Sequence, residues 1–198
     1  MAYIFQKLVK DAKTAGINPQ NVADAREWFR STASRVKSVD TEKMFETAKP
    51  FSKIQSLSVN SIGKMYSFYY DPKTKEKLPY YDTFPLVFPF DFKGDRFYGL
   101  NLHYLPPTYR AVLMNKLYEN ISDDKYTNKT KILKLNFETI KQMSYAVPCV
   151  KSYLFSHVRS DFLNINPKEW DMALMLPTQR FEKKSAQEVW RDSLKKAR

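Results

Sequence analysis

The sequence predicts an α+β fold: N-terminal helices, a small antiparallel β core of the SH3- or OB-like barrel kind, and a helix-rich C-terminal part. Three observations predict it. Apolar residues recur at helical spacing before residue 36 and again after residue 107. Between residues 54 and 104 short runs of strand-forming aromatic and aliphatic residues alternate with turn residues. The 198 residues are 43% hydrophobic, enough to bury a core without covalent staples.

The elements follow in order. Residues 2–15 place Ile4, Leu8, Val9 and Ala12 on one helical face, and Gly16 ends the pattern. Asn18-Pro19 pairs a capping residue with a proline suited to the first helical turn. The second helix runs to about Val36, with Val22, Ala25, Trp28, Phe29 and Ala33 inward. Residues 38–53 have no firm period and read as a linker with one helical turn. The boundary is drawn there: 1–53 is a helical extension and 54–198 the α+β core domain.

Ile54 to Val59 alternates as a half-buried strand does, and Lys64 to Tyr70 is aromatic and strand-like. Asp71-Pro72-Lys73 makes a turn. Phe84 to Phe92 and Arg96 to Tyr104 form two strands joined at Lys93-Gly94-Asp95. Pro85 and Pro89 make the first of these an edge strand, or a bulged and broken one. Such closely spaced strands suggest a small barrel or a highly bent sheet. After Pro106-Pro107, Thr108 to Tyr118 is a helix with Val112, Leu113 and Leu117 on one face. Asn120 to Lys131 is a polar loop. Residues 132–144 fit a strand through Ile132, Leu133, Leu135 and Phe137, or a helical turn from Phe137 to Met143. Pro148 opens a helix carrying Val150, Leu154 and Val158 on one face. Asn166-Pro167 repeats the capped start, and Trp170 to Leu176 returns to the sheet. Ser185 and Glu188 form a capping box that opens a basic helix from Ala186 to Lys196.

Catalytic signals are sparse. The two histidines are His103, in an apolar alternating run, and His157, which follows Ser156 but cannot face it on a helix. Both read as structural or surface groups. Acidic pairs such as Asp71 and Asp82, or Asp91 and Asp95, read better as turn residues than as metal ligands. The glycines Gly16, Gly63, Gly94 and Gly99 assemble no phosphate loop. The lone Cys149 forms no internal disulfide and fits a reducing compartment. No catalytic residue, metal or cofactor is expected. A signal peptide and a membrane-spanning run are not expected either.

Charge is the stronger signal. There are 33 Lys plus Arg against 21 Asp plus Glu, a formal net charge of +12, which favours an anionic partner. Residues 1–60 hold 10 basic and 6 acidic side chains, residues 61–120 hold 8 and 6, and residues 121–198 hold 15 and 9, so the excess is greatest in the last third. Candidate phosphate contacts are Lys73, Lys75, Lys77, Lys93, Arg96, Lys125, Lys129, Lys131, Lys134, Lys151, Arg159, Lys183, Lys184, Arg191, Lys195 and Lys196. Lysine, a compact point charge, suits backbone phosphate more than base reading. The aromatics Tyr66, Phe68, Tyr69, Tyr70, Tyr80, Tyr81, Phe97, Tyr98 and Tyr104 interleave with these charges. They can stack unpaired bases, but alternate members are better read as core.

A block of motifs adds to this reading. Gly63-Lys-Met-Tyr66, Tyr70-Asp-Pro-Lys-Thr74, Leu78-Pro-Tyr-Tyr-Asp82, Phe84-Pro-Leu86 and Gly99-Leu-Asn-Leu-His-Tyr-Leu-Pro106 resemble structural proteins of T4-like myoviruses, many of them labelled DNA end protectors. Lys151-Ser-Tyr-Leu154, Ser156-His157 and Pro167-Lys-Glu-Trp170 resemble the same family, so the likeness spans about residues 61–175. The resemblance implies a non-enzymatic minor virion component, in the capsid interior or neck, that enters the host cytoplasm with the genome. It would hold the ends of linear double-stranded DNA and shield them from a host helicase-nuclease. The rival expectation is a structural adaptor of the head-neck, tail or baseplate, with portal, neck or other virion proteins as partners.

Overall fold

The computed structural model describes residues 4–17, 22–48, 52–119 and 137–197. Three helices lead: α1 (Ile4–Thr14), α2 (Val22–Ser34) and α3 (Thr41–Glu46). On α1 the buried stripe is Phe5, Leu8 and Ala12, with Ile4 and Val9 at its margins. On α2 it is Ala25, Phe29 and Ala33, four residues apart, with Trp28 edge-on to Phe29 at 5.2 Å. The single turn expected in the linker is α3, whose N-cap Asp40 accepts the Lys43 amide at 3.0 Å. Gly16 ends α1 at φ +71°, a backbone angle that glycine adopts without strain. The expected cap at Asn18-Pro19 lies outside the described residues.

The strands are β1 (Lys53–Ile54), β2 (Met65–Ser67), β3 (Tyr81–Asp82), β4 (Leu86–Lys93), β5 (Arg96–Asn101), β6 (Val150–Leu154), β7 (Phe162–Ile165) and β8 (Phe181–Glu182). Six form one antiparallel sheet in the order β1-β7-β2-β4-β5-β6, and β3 pairs separately with β8. The fold is α+β, but the sheet is open and does not close into a barrel. Its two edges are β1 and β6. The two-residue β1 pairs on one side only, with β7 (Lys53↔Leu163), and makes no ladder with β6. The chain beyond Ile54 leaves the alternation expected to Val59 and turns into a 3₁₀ segment, Val59–Ser61.

One open alternative is decided and three further expectations change. The Phe84–Phe92 run is no edge: β4 lies between β2 and β5. Its proline is accommodated by the second option, a bulge, with the register shifting between Pro89 and Asp91. Residues 150–154 are a strand, not a helix, because the open side of β5 pairs them (Phe97↔Tyr153, Gly99↔Lys151). A spacing of four residues fits one face of either element, and the long-range ladder decides. Residues 170–173 are helix α6 (Trp170–Ala173), not a returning strand. The place in the sheet belongs to β7, and Asn166-Pro167 opens a 3₁₀ turn into α6, with Asn166 accepting the Lys168 amide at 3.0 Å. On α4 (Pro107–Glu119) Leu113 and Leu117 face inward as expected, but Val112 is exposed, and Arg110 and Met114 share the buried face.

Of the ambiguous stretch, Phe137–Lys141 is helix α5, and residues 120–136 lie outside the described residues. The last helix, α7 (Ala186–Lys196), has both halves of the predicted capping box: Ser185 accepts the Glu188 amide and Glu188 accepts the Ser185 amide.

The sheet separates two apolar clusters. Met65, Leu86, Phe88, Leu100, Leu163 and Ile165 pack with helical residues, among them Phe5, Phe29, Leu113, Trp170 and Val189. On the other face lie Tyr66, Val87, Phe97, Tyr153 and Phe162, with Leu57, Phe68 and Tyr70. Alternation along β2, β4, β5 and β7 sends neighbouring residues to opposite faces.

Candidate nucleic-acid interface

A cleft of about 500 Å³ runs along the β6 edge of the sheet. The segment 70–82 walls one side, β5 and β6 supply the floor, and the end of α7 reaches it through Lys196. Four of the candidate cations line it: Lys73 from the turn, Arg96 from β5, Lys151 from β6 and Lys196 from α7. Five tyrosines line it too: Tyr70, Tyr80, Tyr81, Tyr104 and Tyr153. Cations and aromatics from four separate segments therefore share one concave surface.

Among the described residues one carboxylate lines the cleft, Asp82, and both its oxygens are engaged. Oδ1 accepts the amides of Phe84 and Arg180, each at 3.1 Å. Oδ2 accepts Asn101 Nδ2 at 3.1 Å and His103 Nδ1–H at 2.8 Å. On the far side of the imidazole, Thr178 Oγ donates to His103 Nε2 at 3.0 Å. Burial holds the imidazole pKa below its ordinary value, so the ring is neutral and this tautomer suits both partners. The Asp-His-Thr order has the geometry of a nucleophile and its base, but the residues are 3%, 0% and 5% exposed. In this sealed position it joins β3, the β5 end and the segment before β8. His103 is thus the structural group expected, and half-buried His157 donates Nδ1–H to the Asp71 carbonyl at 2.8 Å.

Lys151 is the most constrained cleft cation. Its ammonium donates to the Pro148 carbonyl at 2.7 Å and sits 3.9 Å above the Tyr104 ring centroid. Burial, and then the neighbouring Lys196, push its pKa down to about 8. Lys73 and Lys196 are exposed and make no ion pair with a described carboxylate. Arg96 is paired with its neighbour Asp95 at 3.0 Å.

The remaining candidates lie elsewhere. Lys75 and Arg159 both face Asp71, at 2.9 and 3.5 Å. Lys93 faces Asp91 at 3.6 Å, on the β4–β5 hairpin. Lys184 pairs with Asp192 at 2.7 Å and lies 5.0 Å from the Tyr80 ring centroid, behind the cleft wall. The Lys183 ammonium donates to three carbonyls, of Lys75, Glu76 and Leu78, at 2.6, 3.0 and 3.0 Å. That uses all its protons and fixes the turn that walls the cleft. Lys77, Arg191 and Lys195 are exposed, without an ion pair to a described carboxylate. Lys125, Lys129, Lys131 and Lys134 lie outside the described residues.

The sequence reading missed Asn101 and Ser152 as lining residues. A polar Asn101 between Leu100 and Leu102 was the available signal, since a buried amide needs a partner. Most of the interleaved aromatics are core: Tyr66, Phe68, Tyr70, Tyr80, Phe97 and Tyr104 are buried, and Tyr69, Tyr81 and Tyr98 half-buried. A larger groove, about 710 Å³, lies between α2 and α4. It is less suited to an anion, because Arg30 is bonded to Asp171 at 2.6 Å, Arg26 lies 3.7 Å from the same carboxylate, and Glu27 and Glu119 offset them. Among the described residues no three His, Cys, Asp or Glu side chains cluster to hold a metal, and no helix is long and apolar enough to cross a membrane.

Fold and cleft together define an open-sheet α+β protein with a cationic, tyrosine-walled depression at one sheet edge. The family model described as Phage T4 terminal DNA protecting protein matches residues 6–193, and the chain belongs to that family. The match extends the likeness seen at residues 61–175 across the N-terminal helices. No curated protein and no solved structure matches the chain.

Proposed function

We propose that this protein caps the ends of linear double-stranded DNA in the virion, enters the host with them, and blocks exonuclease by occupying the terminus. Membership of a terminal DNA protecting family over residues 6–193 carries the reading. The cleft supports it chemically. Lys73, Arg96, Lys151 and Lys196 converge on one surface, as neutralising closely spaced phosphates requires. A protein seated there acts by exclusion and needs no chemistry of its own. An exonuclease must thread or grip the terminal nucleotides, and a bound cap removes them from reach.

The test is a gel shift with linear and covalently closed circles of one sequence, run across a salt series, with an exonuclease challenge in parallel. Linear DNA is expected to bind tighter and to survive digestion. Each phosphate contact adds about 0.9 to the slope of log affinity against log salt, so replacing Lys73, Arg96 and Lys196 together by alanine should flatten that slope by roughly 2–3. Equal affinity for circles, or a salt-independent affinity, overturns the reading. A ring-sized oligomer without DNA affinity would point instead to a virion adaptor.

A further inference from the structure

We infer that the cleft on the β6 edge is a terminal-nucleotide pocket: it takes one frayed nucleotide of the DNA end and holds that nucleotide's phosphomonoester on Lys151, Lys196, Lys73 and Arg96. The inference rests on the end-capping reading and adds the chemical group recognised.

Size comes first. A volume of about 500 Å³ lies in the range of sites that enclose a small organic ligand, a nucleotide included, and is far too small for a duplex. A duplex can offer such a site only a nucleotide unstacked from its end, at a cost of about a few kcal/mol. An interior nucleotide has chain on both sides, whereas a terminal one has chain on one side and can enter.

Charge comes second. Among the described residues four cations, of which Arg96 is paired with Asp95, share the lining with one carboxylate, and that carboxylate is saturated by Phe84, Arg180, Asn101 and His103. A lysine ammonium has three protons, and one of Lys151's is spent on the Pro148 carbonyl. The Tyr104 ring, 3.9 Å from the ammonium, takes part of what remains, and burial still disfavours the charge, so an arriving dianion would stabilise the ammonium further.

The walls come third. A bare phosphate site has no use for apolar cover. Here Pro72, Leu78, Pro79 and Tyr81 stand beside the cations and offer a surface for a sugar and a base. The wall is held in place: Lys183 ties down the carbonyls of Lys75, Glu76 and Leu78, and the Tyr70 hydroxyl accepts the Leu154 amide at 3.1 Å. A charged group on a pre-fixed frame loses little freedom when its ligand arrives.

The experiment uses the full chain and duplexes of one sequence with 5′-phosphate, 3′-phosphate or hydroxyl ends, plus a hairpin-closed duplex without ends. Phosphorylated ends of one polarity should bind about tenfold tighter than hydroxyl ends, the worth of a charge-assisted hydrogen bond. The discrimination should vanish in Lys151→Met and weaken in Lys196→Met, where the exposed position spares the fold. In parallel, calorimetry with thymidine 5′- and 3′-monophosphates should show proton uptake at pH 8.5 that is absent at pH 7 and absent from Lys151→Met. Uptake is the expected sign, because the anion raises a lysine pKa that lies near 8 in the free protein. Linear DNA preferred over the closed duplex with no discrimination between phosphate and hydroxyl overturns the pocket and leaves end-capping standing. No preference for linear DNA, with Lys151-dependent monophosphate binding retained, overturns end-capping and leaves the pocket.

Discussion

The two faces of the sheet are closed in different ways. On one, Phe88 meets Trp170 edge-on at 5.0 Å, and residues of all seven helices α1–α7 contribute to the cluster. On the other, no residue of α1–α7 takes part. Phe68 stands at the centre, within 5.3 Å of Tyr153, 5.8 Å of Phe97, 4.9 Å of Phe162 and 6.2 Å of Tyr70, ring centroid to ring centroid. Edge-to-face rings fill space that helices fill elsewhere. Tyr70 and Tyr153 belong both to this ring cluster and to the cleft lining. The helical cluster also reaches the cleft, through Tyr80 and Tyr104; the difference teaches that the ring at the centre of the aromatic face, Phe68, packs directly on two cleft-lining tyrosines, Tyr70 and Tyr153, and so couples stability to the shape of the basic cleft.

The largest expected effect tests that coupling directly. Phe68→Ala should cost about 3–5 kcal/mol in urea denaturation, because a fully buried ring is removed and a cavity left. Met172→Ala, on the helical side, should cost about 2–5 kcal/mol. Under conditions where both remain folded, Phe68→Ala should lose selectivity for linear over circular DNA and Met172→Ala should keep it. Equal selectivity in the two variants would dissolve the distinction between the faces.

A smaller effect concerns the cleft's own charge. Lys151 titrates near 8 in the folded protein against 10.5 for a free lysine. Between those values the unfolded chain binds more protons, so wild-type stability rises with pH from 8 to 10.5. Below pH 8 the buried ammonium is a standing cost. The stability of Lys151→Met relative to wild type should therefore be highest below pH 8 and fall as pH approaches 10.5, whatever the loss of the Pro148 and Tyr104 contacts costs at every pH. A margin independent of pH would show that the ammonium is not desolvated.

The smallest effect lies at the start of α7. Ser185→Ala removes one half of the capping box and should cost about 1 kcal/mol, with a matching drop in thermal midpoint. Ser185 caps the end of α7 opposite to Lys196, so the loss should leave DNA-end binding nearly unchanged once the protein is folded. A large binding defect would mean that the helix docks only weakly against the sheet.

Much of the helical architecture was readable because its signals are local. Ser185 and Glu188 stand one turn apart and satisfy each other, and the bounds of α7 follow. Gly94 takes φ +57° at the hairpin tip, as the turn between two strand-like runs requires. The candidate site was half readable. Charge alone nominated Lys73, Arg96, Lys151 and Lys196, but nominated Lys75, Lys93, Arg159 and Lys184 on equal grounds, and these face carboxylates outside the cleft lining. No spacing in the chain announces that Asp82, His103 and Thr178 meet.

By itself, then, the sequence determined the α+β class, the caps and turns, the excess of positive charge and the aromatic wealth of the central segment. Each rests on residues within a turn or a few positions of one another. The tertiary structure alone decided that residues 150–154 and 162–165 are strands, that the sheet stays open, and which cations share a surface. Those outcomes depend on pairings such as Gly99 with Lys151 and Met65 with Ile165, where hydrogen bonds between distant segments outweigh weak local preference.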